Sequence, residues 1–298
     1  MTPEHRSLIL LTNDDGLRSP GLLAAANAVS ALGDLMLVAP VQQQTGMGRG
    51  IPPPNARTVV EERWMIGGQE ARVYGLPSSP ALAVLYGTLA LAPRRPDLVI
   101  SGINYGENLG TSVTASGTLG AALQAAELGV KALAVSLETD QAYHFHHGEN
   151  VEWHAAAHFT RLLAQAMLNS RRAPVSQLPA DVDVIKVDVP AEATAETPWR
   201  VTRQSRQPYY ETLPPAVPPP PGEMVRLDYR VNIQWETLEP DSDIWALARD
   251  RVVAVTPLSH DLTSRVHLDE FRVLLDALTG ASGTAASDRS SVVRNENL

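Results

Sequence analysis

The sequence contains no cysteine. Disulfide bonds, thiolate zinc sites, iron–sulfur clusters and cysteine nucleophiles are therefore excluded. Positive charge is also in short supply, since 24 lysine and arginine residues face 33 aspartate and glutamate residues and give a formal charge of −9. This balance argues against binding of a nucleic-acid duplex through basic patches. It still allows a small anionic substrate, because a bound cation reverses the local charge.

Long apolar runs are missing as well. The apolar stretch near the start, in MTPEHRSLILL, is too short for a signal peptide, and no later stretch is long enough to cross a bilayer. We therefore expect a cytoplasmic protein without membrane partners. The 298 residues, 44% of them apolar, are enough for one large α/β domain with or without a smaller appendage.

Strand and helix patterns alternate over residues 1–190. The predicted strands cover residues 7–13, 34–40, 97–102, 131–137 and 182–190, and the predicted helices cover residues 20–32, 80–92, 115–128 and 151–169. A β-hairpin is predicted around Gly67-Gly68, with strands over 57–66 and 71–76. Because most strands are apolar throughout, the pattern predicts an α/β fold with a mostly parallel sheet and helices on both faces. Residues 182–190 are predicted to be its last strand.

The composition changes after residue 190. The run PPAVPPPPG (214–222) is typical of polyproline II, and RLDYRVNIQW (226–235) is rich in β-forming residues. We predict an extended arm here that docks on another subunit, because its exposed strand edges need a partner. A strand at 252–258 and a helix at 267–278 follow. The predicted divisions are a core over 1–190, an arm over 191–240, a return to the core over 241–278 and a disordered tail over 279–298.

Three polar segments follow predicted strands, namely TNDDG (12–16), QQTGMG (43–48) and SGINYGENLG (101–110). The carboxyl ends of parallel strands meet at one edge of a sheet, where ligands bind. The oxygen ligands available there come from Asp14, Asp15, Thr45, Asn104 and Asn108. An all-oxygen set suits Mg²⁺, Mn²⁺ or Ca²⁺. The pair Asp14-Asp15 alone fits an ordinary turn, but the three segments together favour a cation that removes the repulsion between the two acids.

The segment TASGTLGAA (114–122) opens a predicted helix with Ser116, Gly117 and Thr118. Unpaired N–H groups and the helix dipole make such an end an anion site. Taken alone, the segment is better explained as an ordinary serine N-cap. The glycine-rich segment just upstream favours phosphate, because glycine permits close approach of the backbone. The sequence has neither a Walker A loop nor the dinucleotide fingerprint G-x-G-x-x-G.

Two further segments are candidates of a weaker kind. The stretch HFHHGENVEWH (144–154) together with His158 holds five of the eight histidines. Three alanines separate His154 from His158, so the zinc motif H-E-x-x-H is absent, and we interpret these histidines as an exposed loop and helix face. The stretch VTPLSHDLT (255–263) could bring His260 to an active site. Neighbouring residues of a strand face opposite sides, so Ser259, His260 and Asp261 do not form a catalytic triad. We interpret the stretch as a structural turn in which Asp261 caps the next segment.

Together these segments resemble the SurE (survival protein E) family of metal-dependent 5'- and 3'-nucleotidases. The matching strings are ILLTNDDG (9–16), APxxxxTGMG (39–48), SGINYGENLG (101–110), SGTLGAA (116–122), ALAVSL (132–137) and VTPLxxDLT (255–263). They occur in family order and span residues 9 to 263. The resemblance implies a Rossmann-like core and a smaller β-rich C-terminal extension used in oligomerisation.

The resemblance also implies site residues. The metal-binding aspartates of the family fall on Asp14 and Asp15, and its metal-binding asparagine falls on Asn104. Thr45 replaces the family's metal-binding serine and keeps the hydroxyl. The positions expected around the phosphate are Asn108, Ser116, Gly117 and Thr118. Further departures from the family pattern at Thr111, Ser112 and Ala115 leave the preferred nucleotide open.

The function implied is hydrolysis of nucleoside 5'- or 3'-monophosphates to nucleoside and inorganic phosphate. One divalent metal ion per subunit is expected, with Asp14 and Asp15 as catalytic residues, in a homodimer or homotetramer. Tyr105, Tyr209 and Tyr210 are the candidate aromatic residues of a base pocket. Two alternatives remain, a nucleotide or metal sensor without catalysis and a metal-independent hydrolase that uses His260.

Overall fold

Apolar runs from the first half of the chain form the centre of a nine-stranded sheet. The computed structural model describes residues 6–52, 58–145, 148, 150–170, 178–215, 217, 220, 222 and 227–279. The chain divides into two units, residues 1–260 and residues 261–298. The strands described are β1 (Ser7–Thr12), β2 (Gly33–Pro40), β3 (Val60–Ile66), β4 (Gln69–Leu76), β5 (Leu98–Tyr105), β6 (Ala132–Leu137), β7 (Val184–Val189), β8 (Trp199–Val201), β9 (Tyr210–Leu213), β10 (Asp228–Val231) and β11 (Val253–Leu258).

The main sheet has the strand order β3-β4-β2-β1-β5-β6-β7-β11-β8. The six strands from β4 to β7 in this order are parallel, whereas β3 and β11 run antiparallel to their neighbours β4 and β7. The predicted mostly parallel sheet is therefore confirmed. The prediction that residues 182–190 form its last strand is wrong, because β11 and β8 extend the sheet beyond β7. Both lie far along the chain and neither is joined by a strand–helix–strand unit.

Helices cover both faces of the sheet, as predicted. The helices of the first unit are α1 (Pro20–Val29), α2 (Pro80–Tyr86), α3 (Gly117–Glu127) and α4 (His154–Ser170). Helices α1 and α4 pack together on one face, and α2 and α3 pack together on the other. In α1 the buried side chains Leu22, Ala25, Ala26 and Val29 repeat at the helical period, which explains why its sequence predicts a helix.

Some boundaries differ from the prediction for local reasons. Helix α2 ends at Tyr86 and a π-helical turn continues from Gly87 to Leu91, so the pattern over 80–92 is not one regular helix. The hairpin of β3 and β4 is confirmed, and its two-residue turn, Gly67-Gly68, has positive φ at both positions. Strand β5 continues to Tyr105, so half of the predicted loop 101–110 belongs to the sheet.

The first unit also contains a separate two-stranded hairpin, in which β9 pairs antiparallel with β10. It belongs to the segment 191–240 that we predict to be an arm, although Trp199–Val201 of the same segment pairs with β11 in the main sheet. A small apolar core lies beside the hairpin and includes Leu109, Tyr209, Leu238, Ile244 and Leu247. Much of the polyproline run, at residues 216, 218, 219 and 221, and the tail from residue 280 onward lie outside the described residues.

The strand order changes direction at β1. The chain passes from β1 to β2 on one side and later returns to β5 on the other side of β1. In an open parallel sheet, the connections that leave these two strands diverge and open a crevice at their carboxyl ends. Asp14 and Asp15 follow β1 and Asn104 lies near the end of β5, so the topology brings the predicted residues to this crevice.

The second unit contains helix α5 (Leu268–Thr279), none of whose side chains is buried. Among the described residues, no helix combines the length and the apolar character needed to cross a bilayer.

Candidate functional site

A cleft of about 460 Å³ opens at the point where the strand order changes direction. Its lining includes Asp14, Thr45, Asn104, Asn108 and Ser116. These residues come from four separate segments of the chain, and the sheet edge and the start of α3 bring them together. The remaining predicted residues, Asp15, Gly117 and Thr118, lie immediately beside them in the sequence.

Asp14 is held against the start of α3. Its side chain is 3% exposed, and its Oδ1 accepts a hydrogen bond of 2.6 Å from the Thr118 hydroxyl. A Cβ atom at Gly117 would lie 2.8 Å from Asp14 Oδ2, so only glycine allows this close approach. Burial raises the pKa of the Asp14 carboxyl to about 6, against the opposing effect of the Thr118 hydrogen bond. This carboxyl therefore exchanges a proton near neutral pH while the site contains no cation.

Asp15 is buried directly beside Asp14, at 2% exposure. Its Oδ2 accepts a hydrogen bond of 3.1 Å from the Tyr105 N–H, and its Oδ1 accepts one of 3.2 Å from the Gln43 amide. Burial, followed by the charge of Asp14, raises the pKa of Asp15 well above its ordinary value. The two carboxyls are thus held in place by neutral donors, which only partly offset the cost of ionising both.

Asn104 and Thr45 complete the predicted ligand set. The Asn104 amide nitrogen donates to the backbone carbonyls of Tyr105 and Gly106, at 3.0 and 2.7 Å, so Oδ1 is the atom left for a cation. Thr45 is exposed in the cleft and its hydroxyl donates weakly, at 3.4 Å, to the backbone carbonyl of His144. This hydroxyl can exchange one long hydrogen bond for a ligand.

The residues present fit a divalent cation. Two adjacent buried carboxylates carry negative charge that needs a counter-charge, and both have raised pKa values for that reason. The oxygens of Asp14, Asp15, Thr45 and Asn104 are the ligand types that hard cations take. No group of three histidine, aspartate or glutamate side chains suited to a metal occurs in the described part of the chain. A cation at the cleft would thus be held by two carboxylates with neutral oxygen ligands.

The start of α3 faces the same cleft. The Ser116 hydroxyl oxygen caps the helix by accepting the Leu119 N–H at 3.1 Å, and the Ser116 carbonyl accepts the Gly120 N–H. In a first helical turn the N–H groups of Gly117 and Thr118 have no partner within the helix, so they are available to an anion. The Thr118 hydroxyl is already donated to Asp14, which leaves its backbone as the part that can contact phosphate.

Asn108 is fixed by a buried ion cluster. The Lys186 ammonium is fully buried, forms a short ion pair with Asp188 and lies 3.0 Å from Asp243. It also donates to the Asn108 carbonyl at 2.9 Å, and Asp188 accepts the Asn108 N–H at 2.7 Å. Burial lowers the pKa of Lys186, but the charges of Asp188 and Asp243 outweigh this effect and raise the pKa above its ordinary value. Both backbone groups of Asn108 are therefore held by charged partners in the interior.

Several lining residues were not assigned to the site from the sequence, among them Glu107, His144, Phe145 and Tyr229. Glu107 lies within the segment 101–110 and His144 and Phe145 lie within the histidine-rich stretch, but neither pattern indicates that these side chains line the cleft, and Tyr229 comes from the hairpin. Of the three tyrosines singled out for a base pocket, Tyr105 and Tyr210 line the cleft, whereas Tyr209 is buried in the small core.

The histidine-rich stretch divides into different environments. His154 and His158 are exposed on α4, as interpreted, whereas His144 is buried in the cleft wall at 6% exposure. The His144 Nδ1 lies 2.9 Å from the Tyr229 hydroxyl. His146 and His147 lie outside the described residues.

His260 lies at the opposite edge of the sheet from Asp14. Because β11 runs antiparallel to β7, its end at Leu258 pairs with Val184, the residue at which β7 begins. The His260 N–H donates to Asp183 at 2.9 Å. A hydrolase that uses His260 at the cleft is therefore excluded. The sequence pattern allowed this alternative because it does not reveal the direction of β11 in the sheet. Asp261 accepts the Thr263 N–H at 2.8 Å, a local hydrogen bond, and the next helix begins only at Leu268.

Comparison with known proteins gives the family. The model of the family described as "Survival protein SurE" matches residues 9–211. The chain belongs to the SurE family. It is 37% identical over 272 residues to the 5'-nucleotidase SurE of Thermococcus kodakarensis, covering 90% of this chain and 98% of that protein. It is 38% identical over 259 residues to the 5'-nucleotidase SurE of Methanocella arvoryzae, covering 86% of this chain and 93% of that protein.

The fold is also that of a solved SurE protein. The crystal structure of the SurE protein from Aquifex aeolicus matches with a TM-score of 0.67 and 27% identity, covering 91% of this chain and 99% of that one. The resemblance found in the sequence is thereby confirmed for family and for fold.

Burial of Asp14 predicts an unusual dependence of stability on pH. The folded pKa of about 6 lies above the value of about 3.9 in an unfolded chain, so the folded state holds the proton more tightly between these values. The free energy of unfolding of the metal-free protein should therefore fall as pH rises from 4 through 6. Asp14→Asn removes this loss and should stabilise the metal-free protein at pH 8 by about 2–3 kcal/mol, with little effect at pH 4.

Urea unfolding in the presence of a chelator measures this difference. Asp34→Asn is the matched control, because the Asp34 side chain is 59% exposed and pairs with Arg6 at the surface. If Asp14→Asn has a lower free energy of unfolding than the parent protein at pH 8, the buried carboxylate does not destabilise the folded state and the prediction is wrong.

Proposed function

We propose that this protein is a metal-dependent phosphomonoesterase that hydrolyses nucleoside 5'- and 3'-monophosphates to nucleoside and inorganic phosphate. The observation that carries the proposal is the buried pair Asp14 and Asp15 at the end of β1, of which Asp14 lines the cleft and contacts the start of α3. Carboxylates on one side and free N–H groups on the other suit a cation and a phosphate side by side. The names of the relatives, 5'-nucleotidase SurE, support a nucleotide as the phosphate ester.

One divalent cation per subunit, Mg²⁺, Mn²⁺ or Ca²⁺, would be held by Asp14, Asp15, Thr45 and Asn104. When bound, it would polarise the phosphoryl group and make a nearby water molecule more acidic. The cation would also remove the electrostatic cost of ionising both aspartates, so binding and the active protonation state are coupled.

Asp14 is the residue placed to handle the proton. Its carboxylate lies in the cleft beside the start of α3, where the phosphoryl group would be bound. The carboxylate would orient the attacking water molecule and accept its proton as the water oxygen bonds to phosphorus; the ester P–O bond breaks, and the nucleoside oxygen leaves with its electron pair and takes up a proton from solvent. Thr118 holds the carboxylate through Oδ1, which leaves Oδ2 to serve the cation and the water molecule.

The phosphoryl oxygens are bound by donors that the fold holds in advance. Ser116 lines the cleft, and its hydroxyl with the N–H groups of Gly117 and Thr118 beside it would supply donors from the start of α3. The Asn108 amide, which donates one hydrogen to Ser136 at 2.8 Å, would add its second from the loop that Lys186 anchors. Since these donors are fixed before the substrate binds, they stabilise the charge that builds on the oxygens during transfer.

Phosphate release separates this proposal from a sensor that binds nucleotide without turnover. The protein should release phosphate from AMP or GMP with Mn²⁺ or Mg²⁺, and a chelator should abolish the release. Asp14→Asn should lower kcat by more than ~100-fold, as expected for loss of a group that acts in the transition state. The control Asp34→Asn should keep the parent rate. Binding of AMP without phosphate release would contradict the proposal and favour the sensor.

We also propose that the protein forms a homodimer or homotetramer. Helix α5, considered by itself, exposes a stripe of large apolar side chains that includes Leu268, Phe271, Leu275 and Leu278. Such a stripe on an exposed helix is typical of a surface that a partner covers. The cytoplasmic location, which the lack of cysteine favours, stays a prediction.

Light scattering tests the assembly. The mass in solution should be two or four times the 32.1 kDa of one chain. A mass equal to one chain would contradict the oligomer and leave the chemistry of the cleft untouched.

A further inference from the structure

Glu107 is a buried carboxyl that the proposed hydrolysis does not use. It lines the cleft, is 6% exposed, and its Oε1 accepts a hydrogen bond of 2.9 Å from the Tyr210 hydroxyl. Burial raises its pKa to about 7, and the hydrogen bond from Tyr210 opposes that rise. A carboxyl kept at such a cost, next to a cleft, needs an explanation in terms of function.

Tyr210 connects Glu107 to the aromatic end of the cleft. Its ring lies edge-on to Tyr229, with 5.3 Å between centroids, and to His144, with 6.0 Å between centroids. The rings of His144 and Tyr229 are nearly parallel, and the Tyr229 hydroxyl lies 2.9 Å from His144 Nδ1. These rings line the part of the cleft formed by β9 and β10. They offer flat apolar faces of the kind that bind a nucleobase.

The pair Glu107 and Tyr210 links residues of the two ends of the cleft. Glu107 directly precedes Asn108 and follows Asn104 by three residues, and both asparagines belong to the polar end. Its carboxyl contacts Tyr210, which belongs to the aromatic end. In a nucleotide the sugar joins the phosphate to the base, so we expect residues that link the two ends to lie near the sugar.

The hydrogen bond fixes which way this pair can bind. A tyrosine hydroxyl has one proton, and Tyr210 donates that proton to Glu107. Its oxygen can therefore only accept further hydrogen bonds. A group that binds to this oxygen must then supply a proton, as a sugar hydroxyl does.

We propose that Tyr210, with its hydroxyl oriented by Glu107, binds a hydroxyl of the substrate's sugar and makes the enzyme select ribonucleotides over deoxyribonucleotides. This inference rests on the proposed nucleotidase function and names the class of nucleotide that the same site prefers. Tyr210 contacts the sugar, and Glu107 is a positioning residue that acts through Tyr210.

The test compares kcat/KM for AMP with kcat/KM for its 2'-deoxy and 3'-deoxy analogues, at pH 8 with Mn²⁺, where Glu107 is ionised. The parent protein should prefer AMP over at least one analogue by ~10-fold or more, because the site loses a hydrogen bond when the hydroxyl is absent. Tyr210→Phe should reduce that ratio to about 2-fold or less. A purely structural role of Tyr210 would lower both rates together and leave the ratio unchanged.

Variants of Glu107 test the positioning role. Glu107→Gln should keep most of the preference, since its amide oxygen can still accept the Tyr210 proton, whereas Glu107→Ala should lose it as Tyr210→Phe does. Glu211→Gln is the matched control, because Glu211 follows Tyr210 on β9 but pairs with Arg230 at the surface. This control should keep both the activity and the ratio of the parent.

Equal kcat/KM for AMP and both analogues in the parent, or a preference that survives Tyr210→Phe, would overturn the inference while leaving the nucleotidase in place. Turnover of p-nitrophenyl phosphate but of no nucleotide would overturn the inference and the nucleotide substrate together. Absence of phosphate release from every ester, with metal supplied, would overturn the proposed function as well.

Discussion

The structure depends on the placement of two carboxylates, Asp14 and Asp15, side by side at the buried end of β1. Loss of water on burial opposes ionisation of both groups and raises both pKa values, and repulsion from Asp14 raises the pKa of Asp15 further. The donors described for them are neutral, namely the Thr118 hydroxyl for Asp14 and the Tyr105 N–H and Gln43 amide for Asp15. The fold tolerates this arrangement because the nine-stranded sheet and the helices on both faces determine the chain path at the end of β1. A divalent cation would remove the unfavourable free energy of ionising both carboxyls, and this gain would contribute to its binding.

A second buried charge cluster has the opposite character. Lys186 lies between Asp188 and Asp243, so its positive charge is compensated within the protein, and the backbone of Asn108 is bonded to the same cluster. Buried ion pairs are weak evidence for stability, but this one fixes the loop that carries a predicted phosphate ligand. The cluster around Lys186 therefore holds the Asn108 loop in place, whereas the pair Asp14 and Asp15 carries negative charge that the proposed cation would neutralise.

The sequence predicted the parallel core because its strands are continuous apolar runs. It also predicted that the three polar segments following such strands meet, and residues of all three line one cleft. It did not predict the direction of β11, since antiparallel pairing with β7 is a long-range choice that no local pattern records. That single strand direction decides where His260 lies. Glu107 and His144 were missed for a similar reason, because their environment is formed by tyrosines of the hairpin about 65 to 105 residues further along the chain.

Anomalous diffraction from crystals soaked in Mn²⁺ tests the central claim most directly. The account predicts one strong manganese peak per chain, within about 2.0–2.6 Å of oxygens from both Asp14 and Asp15, with Asn104 in the same coordination sphere. Two results would contradict it: manganese bound elsewhere, or no manganese at all and both carboxylates still hydrogen-bonded only to protein donors.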